Sequence, residues 1–161
     1  MQEEQKFIAL IKDNESIIYK ITNIYTDNLE SQKDLYQEIV YQIWKGFKTY
    51  RGDSKVSTWM YRISLNTALL HLKKKYKRGR SIPLENVVLR QENYDPILEE
   101  RLKILYAHIK NLGDLDRGII FLHLEGKKHE EIAQITGLTI TNVGTRMARI
   151  KDKLKKQIIK K

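Results

Sequence analysis

Residues 129–150 read HEEIAQITGLTITNVGTRMARI, and the spacing of the small and apolar residues in this stretch predicts a helix-turn-helix. Ala133 is small enough to let two helices approach closely, and Gly137 can adopt the positive φ of a tight turn. Val143 follows six residues after the glycine and would anchor the second helix on the first. Thr139 stands where the N-cap of that second helix is expected.

The second helix of this motif would present a polar and basic face. Its outward residues would be Thr141, Asn142, Thr145, Arg146 and Arg149. Asparagine and arginine pair with base edges when such a helix enters the major groove, and basic residues beyond it add phosphate contacts. The basic tail contains Lys151, Lys153, Lys155 and Lys156. A helical hairpin without a DNA partner is the alternative, and the basic second helix argues against it. Gly144 either lets the backbone approach DNA or only weakens the helix, since glycine costs about 1 kcal/mol relative to alanine.

Charge is concentrated in two short blocks of the chain. The 161 residues carry a formal net charge of +10, and 14 of the 30 basic residues lie in residues 71–80 and 144–161. Two separate basic blocks indicate two contacts with a polyanion, most often a nucleic acid. Lysine-rich helix ends exposed to water are the alternative, because they also suit the negative end of a helix dipole.

Composition argues against several other classes of protein. Cysteine is absent, no apolar run approaches the roughly 20 residues of a membrane helix, and the acidic N-terminus lacks the features of a signal peptide. A soluble, cytoplasmic protein is therefore expected. The four histidines are dispersed, and no phosphate-binding loop or catalytic constellation is present. We therefore expect no metal, no cofactor and no enzymatic activity.

Helical spacing of apolar residues almost throughout the chain predicts an all-α fold. Residues 79–96 contain both prolines and an acidic bias, which predicts a flexible linker between two helical units. We therefore predict two small helical domains, residues 1–80 and 97–161, joined by a linker over residues 81–96. The second domain would contain the helix-turn-helix.

The first domain is expected to contain three helices: one in the first 30 residues, one over 34–50 and one over about 57–78. The helix over 34–50 has an apolar stripe of Leu35, Ile39, Ile43 and Phe47. Another of its faces carries the polar residues Asp34, Gln37, Glu38, Tyr41 and Gln42. The stripe predicts the side that is packed in the core.

The helix over 57–78 contains WMYRISLN, residues 59–66. Its apolar side would carry Met60, Ile63 and Leu70. Trp59 and Ile63 would share a face, whereas Tyr61 and Arg62 point elsewhere, so at least one of the two rings should face outward.

Cations surround these rings in the sequence. They are Arg62, Lys73, Lys74 and Lys75. Rings interleaved with cations suit single-stranded nucleic acid, and an amide such as Asn66 can read the edge of an unpaired base. Aromatic residues at helical spacing are usually core residues, however, and the periodicity alone leaves both interpretations open.

These segments occur in the order found in a known family. DLYQEI, IWKGF and YRGDSKVSTWMYRISLNTALLHLKKKYKR closely resemble conserved region two of bacterial sigma factors of the sigma-70 family. From about residue 112, LGDLDRGIIFLHLEGKKHEEIAQITGLTITNVGTRMARIKDKLKK resembles region four. Nothing matches regions one and three, an arrangement similar to that of the extracytoplasmic-function (ECF) group. The resemblance covers about residues 5–80 and 97–158.

The resemblance implies a transcription initiation factor that binds core RNA polymerase and directs it to promoters. Docking of region two on the clamp helices of the largest polymerase subunit implies contacts by Asp34, Gln37, Glu38 and Tyr41. Opening of the −10 element and capture of a non-template base imply contacts by Trp59, Tyr61, Arg62, Asn66, Lys73 and Lys74. Reading of the −35 duplex implies contacts by Thr141, Asn142, Thr145, Arg146 and Arg149. Many members are held inactive by an anti-sigma factor, which is therefore a candidate partner.

Two positions depart from the usual pattern of the family. Region four often has lysine where this chain has Gly144, and proline commonly follows the leucine where this chain has Leu112 and Gly113. Both departures concern the details of −35 recognition. The alternative function is a stand-alone helix-turn-helix transcriptional regulator, but nothing in residues 1–80 looks like a dimerisation or ligand-binding domain. A regulator would bind bare duplex tightly, whereas the resemblance predicts weak DNA binding without polymerase.

Overall fold

The chain forms two compact units, and the computed structural model describes residues 2–77 and 96–159. The first unit contains α1 (Gln2–Tyr25), α2 (Leu29–Phe47) and α3 (Val56–Lys77). The second contains α4 (Pro96–Lys110), α5 (Asp114–Leu124), α6 (His129–Thr136) and α7 (Ile140–Ile159). No strand occurs in the described ranges, and the predicted all-α fold is confirmed. None of these helices is long and apolar enough to span a membrane.

The linker predicted over residues 81–96 lies outside the described residues except for its last position. Pro96 is the first residue of α4, one position before the predicted start of the second domain at Ile97. Proline suits this position because the first N–H groups of a helix have no partner within the helix.

Helix α1 contributes to the core through its second half. Ile18, Ile21 and Ile24 are almost completely buried, whereas Ile8 near the N-terminal end is exposed. Phe7 packs edge-on against Trp44 of α2, with 4.8 Å between the ring centroids. The beginning of α1 therefore lies against α2 through an aromatic contact at the surface.

Helix α2 begins five residues before the predicted residue 34, because Asn28 caps it. The Asn28 Oδ1 atom accepts a hydrogen bond from the Ser31 backbone N–H at 2.8 Å, which satisfies a donor at the helix start. The predicted apolar stripe is confirmed for Leu35, Ile39 and Ile43, which are completely buried. Its fourth member, Phe47, is only partly buried.

Helix α3 packs against both α1 and α2, so it buries a wider arc than one stripe. The buried residues of this helix are Thr58, Met60, Tyr61, Ser64, Leu65, Thr67, Ala68 and Leu72. The expectation that Leu70 belongs to the apolar side is wrong, because this side chain is 58% exposed. Tyr61 is only 5% exposed, so its ring fills the core and is not presented to a ligand.

The second unit is built around α5, whose residues Ile119, Ile120, Phe121 and Leu122 are buried. Helices α6 and α7 pack against each other and against α5. Gly137 ends α6 with φ of 81°, and its N–H donates to the Ala133 carbonyl at 2.9 Å. Val143 is completely buried. The predicted turn at Gly137 and the predicted anchor at Val143 are therefore confirmed, and Ala133 is buried as its small side chain requires.

Candidate nucleic-acid interface

The start of α7 is fixed by a side-chain cap. The backbone N–H of Asn142 donates to the Thr139 Oγ1 atom at 3.0 Å, which confirms the predicted N-cap. Val143, Met147, Ile150 and Leu154 form the buried side of α7. The opposite side therefore faces outward over the whole length of the helix.

The five residues predicted to read duplex DNA all lie on this outward side. Thr141, Asn142, Thr145 and Arg149 are exposed, and Arg146 is half-buried. The Thr145 hydroxyl donates to the Thr141 carbonyl at 3.1 Å. The structure therefore brings these residues together on one helical face, which is the geometry that fits a major groove.

Arg146 is held by two neighbours. Its Nε atom donates to the Asn142 Oδ1 atom at 3.1 Å, and its Nη1 atom donates to the Asp116 Oδ1 atom at 3.1 Å. Asp116 belongs to α5 and was not among the predicted site residues. Thirty positions separate it from Arg146, and no local sequence pattern connects them.

The basic tail of α7 points mostly into solvent. Lys151, Lys153, Lys155 and Lys156 are exposed. Lys156 pairs with Asp152 at 3.1 Å, and an exposed pair at this spacing contributes little to stability. The tail therefore extends the positive surface of the helix-turn-helix beyond the five residues predicted to read duplex DNA.

In the first unit, a groove of about 780 Å³ runs between α2 and α3. From α2 it is lined by Ser31, Asp34, Glu38, Gln42, Lys45 and Gly46. From α3 it is lined by Ile63, Asn66, Thr67, Leu70, His71, Lys74 and Lys75. One groove therefore brings two predicted polymerase contacts, Asp34 and Glu38, beside two predicted −10 contacts, Asn66 and Lys74.

His71 lies in this groove in a partly desolvated environment. Burial lowers its pKa below the ordinary value of 6.5, and the nearby charges of Lys75 and Lys74 lower it further. Asp34 and Glu38 act in the opposite direction without reversing the shift. The neutral imidazole is therefore favoured in the folded chain.

The other two predicted polymerase contacts lie outside this groove. Gln37 and Tyr41 line a shallow depression of about 340 Å³, together with Phe7, Tyr36, Val40 and Trp44. Lys45 lies 5.4 Å from the centre of the Tyr41 ring. The four predicted contacts are thus all exposed on α2 but occupy two adjacent strips.

Trp59 and Tyr61 occupy different environments. Trp59 is half-buried and packs on the ring of Tyr50 with 4.7 Å between centroids. Gly46 makes room for it, since a Cβ atom there would lie 3.2 Å from the indole. The prediction that Tyr61 offers its ring to a base is wrong because the ring is enclosed by the three-helix core.

The segment between α2 and α3 contains no predicted site residue, yet it contacts one of them, Trp59. Tyr50, which supports Trp59, also donates a hydrogen bond from its hydroxyl to the Ser54 carbonyl. Lys48, Arg51 and Lys55 are exposed along this segment. The sequence signal available for this segment was the tyrosine and the two cations in YRGDSK.

The remaining predicted −10 contacts differ in how they are engaged. Lys73 and Lys74 are exposed, and Arg62 is half-buried. Lys75 pairs with Asp27 at 3.6 Å, so this third lysine of the run is tied to the turn before α2. No group of His, Cys, Asp and Glu residues in the described part of the chain could hold a metal ion.

Comparisons with known proteins agree with this two-part arrangement. The family model described as Sigma-70 region 2 matches residues 10–78, and the model described as Sigma-70, region 4 matches residues 102–154. The ECF RNA polymerase sigma-E factor of Haemophilus influenzae is 30% identical over 141 residues, covering 78% of this chain and 73% of that protein. The RNA polymerase sigma factor YlaC of Bacillus subtilis is 29% identical over 141 residues, covering 84% and 82%.

Two solved structures share the fold. The sigma factor RpoE in complex with the anti-sigma factor NepR, from Bartonella quintana, has a TM-score of 0.74 at 16% identity, covering 96% of this chain and 95% of that one. CnrH in complex with the cytosolic domain of CnrY has a TM-score of 0.69 at 17% identity, covering 96% and 88%. With both sigma regions present and a relative at 30% identity, the chain belongs to the ECF group of the sigma-70 family, the factors that direct RNA polymerase to promoters.

Proposed function

We propose that this sigma factor uses its first unit to bind core RNA polymerase and the melted −10 strand, and its second unit to bind the −35 duplex. The observation that carries the proposal is the pair of separate polar surfaces: the outward side of α7 in one unit, and the groove between α2 and α3 in the other. The protein acts in the cytoplasm by binding alone and catalyses no reaction. It needs no cofactor.

The polymerase contact would be made by the exposed side of α2. The residues proposed for it are Asp34, Gln37, Glu38 and Tyr41. The two carboxylates argue against DNA as the partner of this surface, since phosphates would repel them. A protein surface with basic groups fits them, and the clamp helices of the largest polymerase subunit are the proposed partner.

The −10 contact would use the neighbouring side of α3. Its proposed residues are Trp59, Arg62, Asn66, Lys73 and Lys74, without Tyr61. Extruding a base costs a few kcal/mol, and stacking on a ring contributes about 1–3 kcal/mol per base. Capture of one or two bases can therefore keep a short bubble open, while the lysines contact the phosphates.

The −35 contact would use α7 in the major groove. Its proposed residues are Thr141, Asn142, Thr145, Arg146 and Arg149. Base pairs remain intact in this contact, so readout depends on hydrogen bonds to base edges. The N-capped start of α7 would bring its free N–H groups close to a phosphate.

An anti-sigma factor is a proposed further partner. One of the two similar structures is a complex with a protein named as an anti-sigma factor. The identity to that sigma factor is 16%, so the likeness supports the class of partner and not its identity.

The test is a pull-down of the full-length chain with bacterial core RNA polymerase. Asp34→Arg combined with Glu38→Arg should abolish stoichiometric binding, because both carboxylates lie on the proposed contact surface. The control is Glu4→Arg combined with Asp13→Arg, which makes the same charge change at exposed positions of α1. Equal binding by wild type and both double variants would contradict the proposed surface.

A gel shift with bare duplex DNA separates the proposal from a stand-alone regulator. We expect weak binding without polymerase and promoter-selective run-off transcription with it. Tight, sequence-specific binding to duplex without polymerase, together with no binding to core polymerase, would instead support the stand-alone helix-turn-helix regulator.

A further inference from the structure

Three side chains form a continuous network on the outward side of the helix-turn-helix. Arg146 donates through Nε to the Asn142 Oδ1 atom and through Nη1 to the Asp116 Oδ1 atom, both at 3.1 Å. Asn142 lies one turn earlier on α7, whereas Asp116 lies in the first turn of α5. Because α5 packs against α7, the carboxylate is anchored on a second rigid helix. The guanidinium is therefore held from two directions before any DNA arrives.

This network determines which hydrogen-bonding groups remain for a partner. The Asn142 carbonyl oxygen accepts from Arg146, which turns that oxygen toward the guanidinium and the amide N–H groups away from it. The rest of the Arg146 guanidinium also carries only donors. An asparagine that reads adenine turns both its oxygen and its amino group toward the base. Here one of the two lone pairs of the oxygen accepts from Arg146, and the oxygen is turned toward the guanidinium.

A surface that offers donors alone matches a base edge that offers acceptors alone. In the major groove, guanine presents two adjacent acceptors, O6 and N7, whereas thymine presents one acceptor beside a methyl group and adenine presents one acceptor and one donor. The Asn142–Arg146 pair is therefore complementary to guanine.

Asp116 also affects contacts with DNA phosphates, which carry no sequence information. The side chains of Arg146 and Asp116 are 36% and 33% exposed, so the carboxylate is accessible to a bound polyanion. It opposes binding to phosphate in general and keeps Arg146 from turning toward one. A carboxylate that weakens binding to DNA of every sequence, while it holds Arg146 in the arrangement that suits one base, raises selectivity for that base.

We propose that Asp116 is a positioning residue for −35 recognition, which holds Arg146 and Asn142 as a donor-only pair that selects guanine. The inference rests on the proposed −35 role of α7. To the proposed −35 contact it adds Asp116, a residue outside α7, and it names guanine as the base that Asn142 and Arg146 read.

The test uses holoenzyme reconstituted from core polymerase and the full-length chain, selecting promoters from a library with a randomised −35 duplex. For wild type we expect guanine at one position to be enriched roughly tenfold or more, the scale of a bidentate arginine contact. Asp116→Asn should lose most of that enrichment and should bind a scrambled duplex more tightly. A variant that merely unfolds would bind every duplex more weakly.

The matched control is Asp114→Asn, which removes the same charge in the same turn of α5. Asp114 pairs with Arg117, a residue of its own helix, at 3.6 Å. We expect this control to bind scrambled duplex somewhat more tightly while keeping the guanine enrichment. Asp116→Glu should restore part of the enrichment lost in Asp116→Asn.

Arg146→Ala distinguishes the two levels of the proposal. If Arg146→Ala changes the −35 preference but Asp116→Asn behaves like Asp114→Asn, the role of Asp116 is overturned and the −35 role of α7 stands. If Arg146→Ala leaves the −35 preference unchanged, the proposed −35 role of that arginine is itself wrong. The −35 position read by Arg146 is the one at which Arg146→Ala loses its base preference. If the wild-type protein enriches adenine and not guanine at that position, the proposed donor-only pair is overturned.

Discussion

The hydroxyl of Thr139 fixes where α7 begins. It accepts the backbone N–H of Asn142 at 3.0 Å, and the Thr139 carbonyl accepts that of Val143 at 3.0 Å. The cap therefore sets the position of the next residues along α7, of which Thr141 and Asn142 are proposed to face DNA. A single side chain thus connects the stability of the helix to the placement of the residues proposed to read DNA.

Thr139→Ala should destabilise the second unit by about 1 kcal/mol, because one helix donor loses its acceptor. Both tryptophans, Trp44 and Trp59, lie in the first unit. Far-UV circular dichroism in denaturant should therefore show a shifted transition, while tryptophan fluorescence should not. Thr139→Ser keeps the hydroxyl and is the control. Equal stability of the alanine and serine variants would show that the cap contributes nothing.

Ser64 presents the opposite case, a polar group buried at a cost. Its side chain is completely buried in α3, and its hydroxyl has no hydrogen-bond partner in the described part of the chain. Ser64→Ala should stabilise the first unit by about 1 kcal/mol, since an unsatisfied hydroxyl is removed. The measurement is the free energy of unfolding from tryptophan fluorescence in urea.

Thr67→Val is the control for Ser64→Ala. The Thr67 hydroxyl donates to the Ile63 carbonyl at 2.7 Å, so its removal should bring no gain. A loss of stability in Ser64→Ala would indicate that the Ser64 hydroxyl has a partner in solution, such as a buried water.

At the scale of helices, two glycines of the helix-turn-helix differ in whether the backbone requires them: Gly137 follows α6, and Gly144 lies inside α7. Gly137 has φ of 81°, a left-handed conformation that is strained for any residue with a side chain. Gly144 lies inside α7, where a Cβ atom would meet only His129 at 3.8 Å, an ordinary contact. The first glycine is required by the turn, and the second is not required by packing.

The two alanine substitutions should therefore change stability with opposite signs. Gly137→Ala should destabilise the second unit by about 1 kcal/mol, and Gly144→Ala should stabilise it by about 1 kcal/mol. Circular dichroism in denaturant measures both. Destabilisation by Gly144→Ala would mean that α7 needs the glycine in its backbone. Weaker −35 binding in a stabilised Gly144→Ala would support close approach of the backbone to DNA.

At the scale of the whole molecule, each unit contains a histidine whose pKa is lowered. For His71 the main cause is burial, followed by the charge of Lys75. For His123 burial again comes first, followed by Lys151 and His129. The unfolded chain therefore binds protons at these sites more readily than the folded chain, and protonation favours unfolding.

The free energy of unfolding should therefore be highest above pH 6.5, the ordinary pKa of histidine, and should decline as the pH falls below that value. His71→Gln should flatten this decline for the first unit, measured by tryptophan fluorescence in urea between about pH 8 and pH 5. Near pH 8 the free energy of unfolding should change with pH equally little in wild type and in His71→Gln, because the wild-type imidazole is neutral in both the folded and the unfolded chain. Identical pH dependence in wild type and His71→Gln would exclude this histidine as a cause.

The sequence by itself determined the features that depend on neighbours along the chain. Gly137, Thr139 and Val143 act through a turn, a cap and a helix-spaced anchor, all within a few residues, and the structure confirms each. The stripe of Leu35, Ile39 and Ile43 was predictable for the same reason, because one helix period places them on one side. The residues assigned to polymerase and DNA contacts stay predictions.

Only the tertiary structure decided which side chains of α3 are buried and which neighbours hold Arg146. Tyr61 is enclosed and Leu70 is exposed because α3 packs against two helices, so the buried arc is wider than its own periodicity indicates. Asp116 reaches Arg146 because α5 packs on α7, a contact between positions far apart in the chain. Periodicity reports the environment of one helix, whereas burial and ion pairing depend on the helices that surround it.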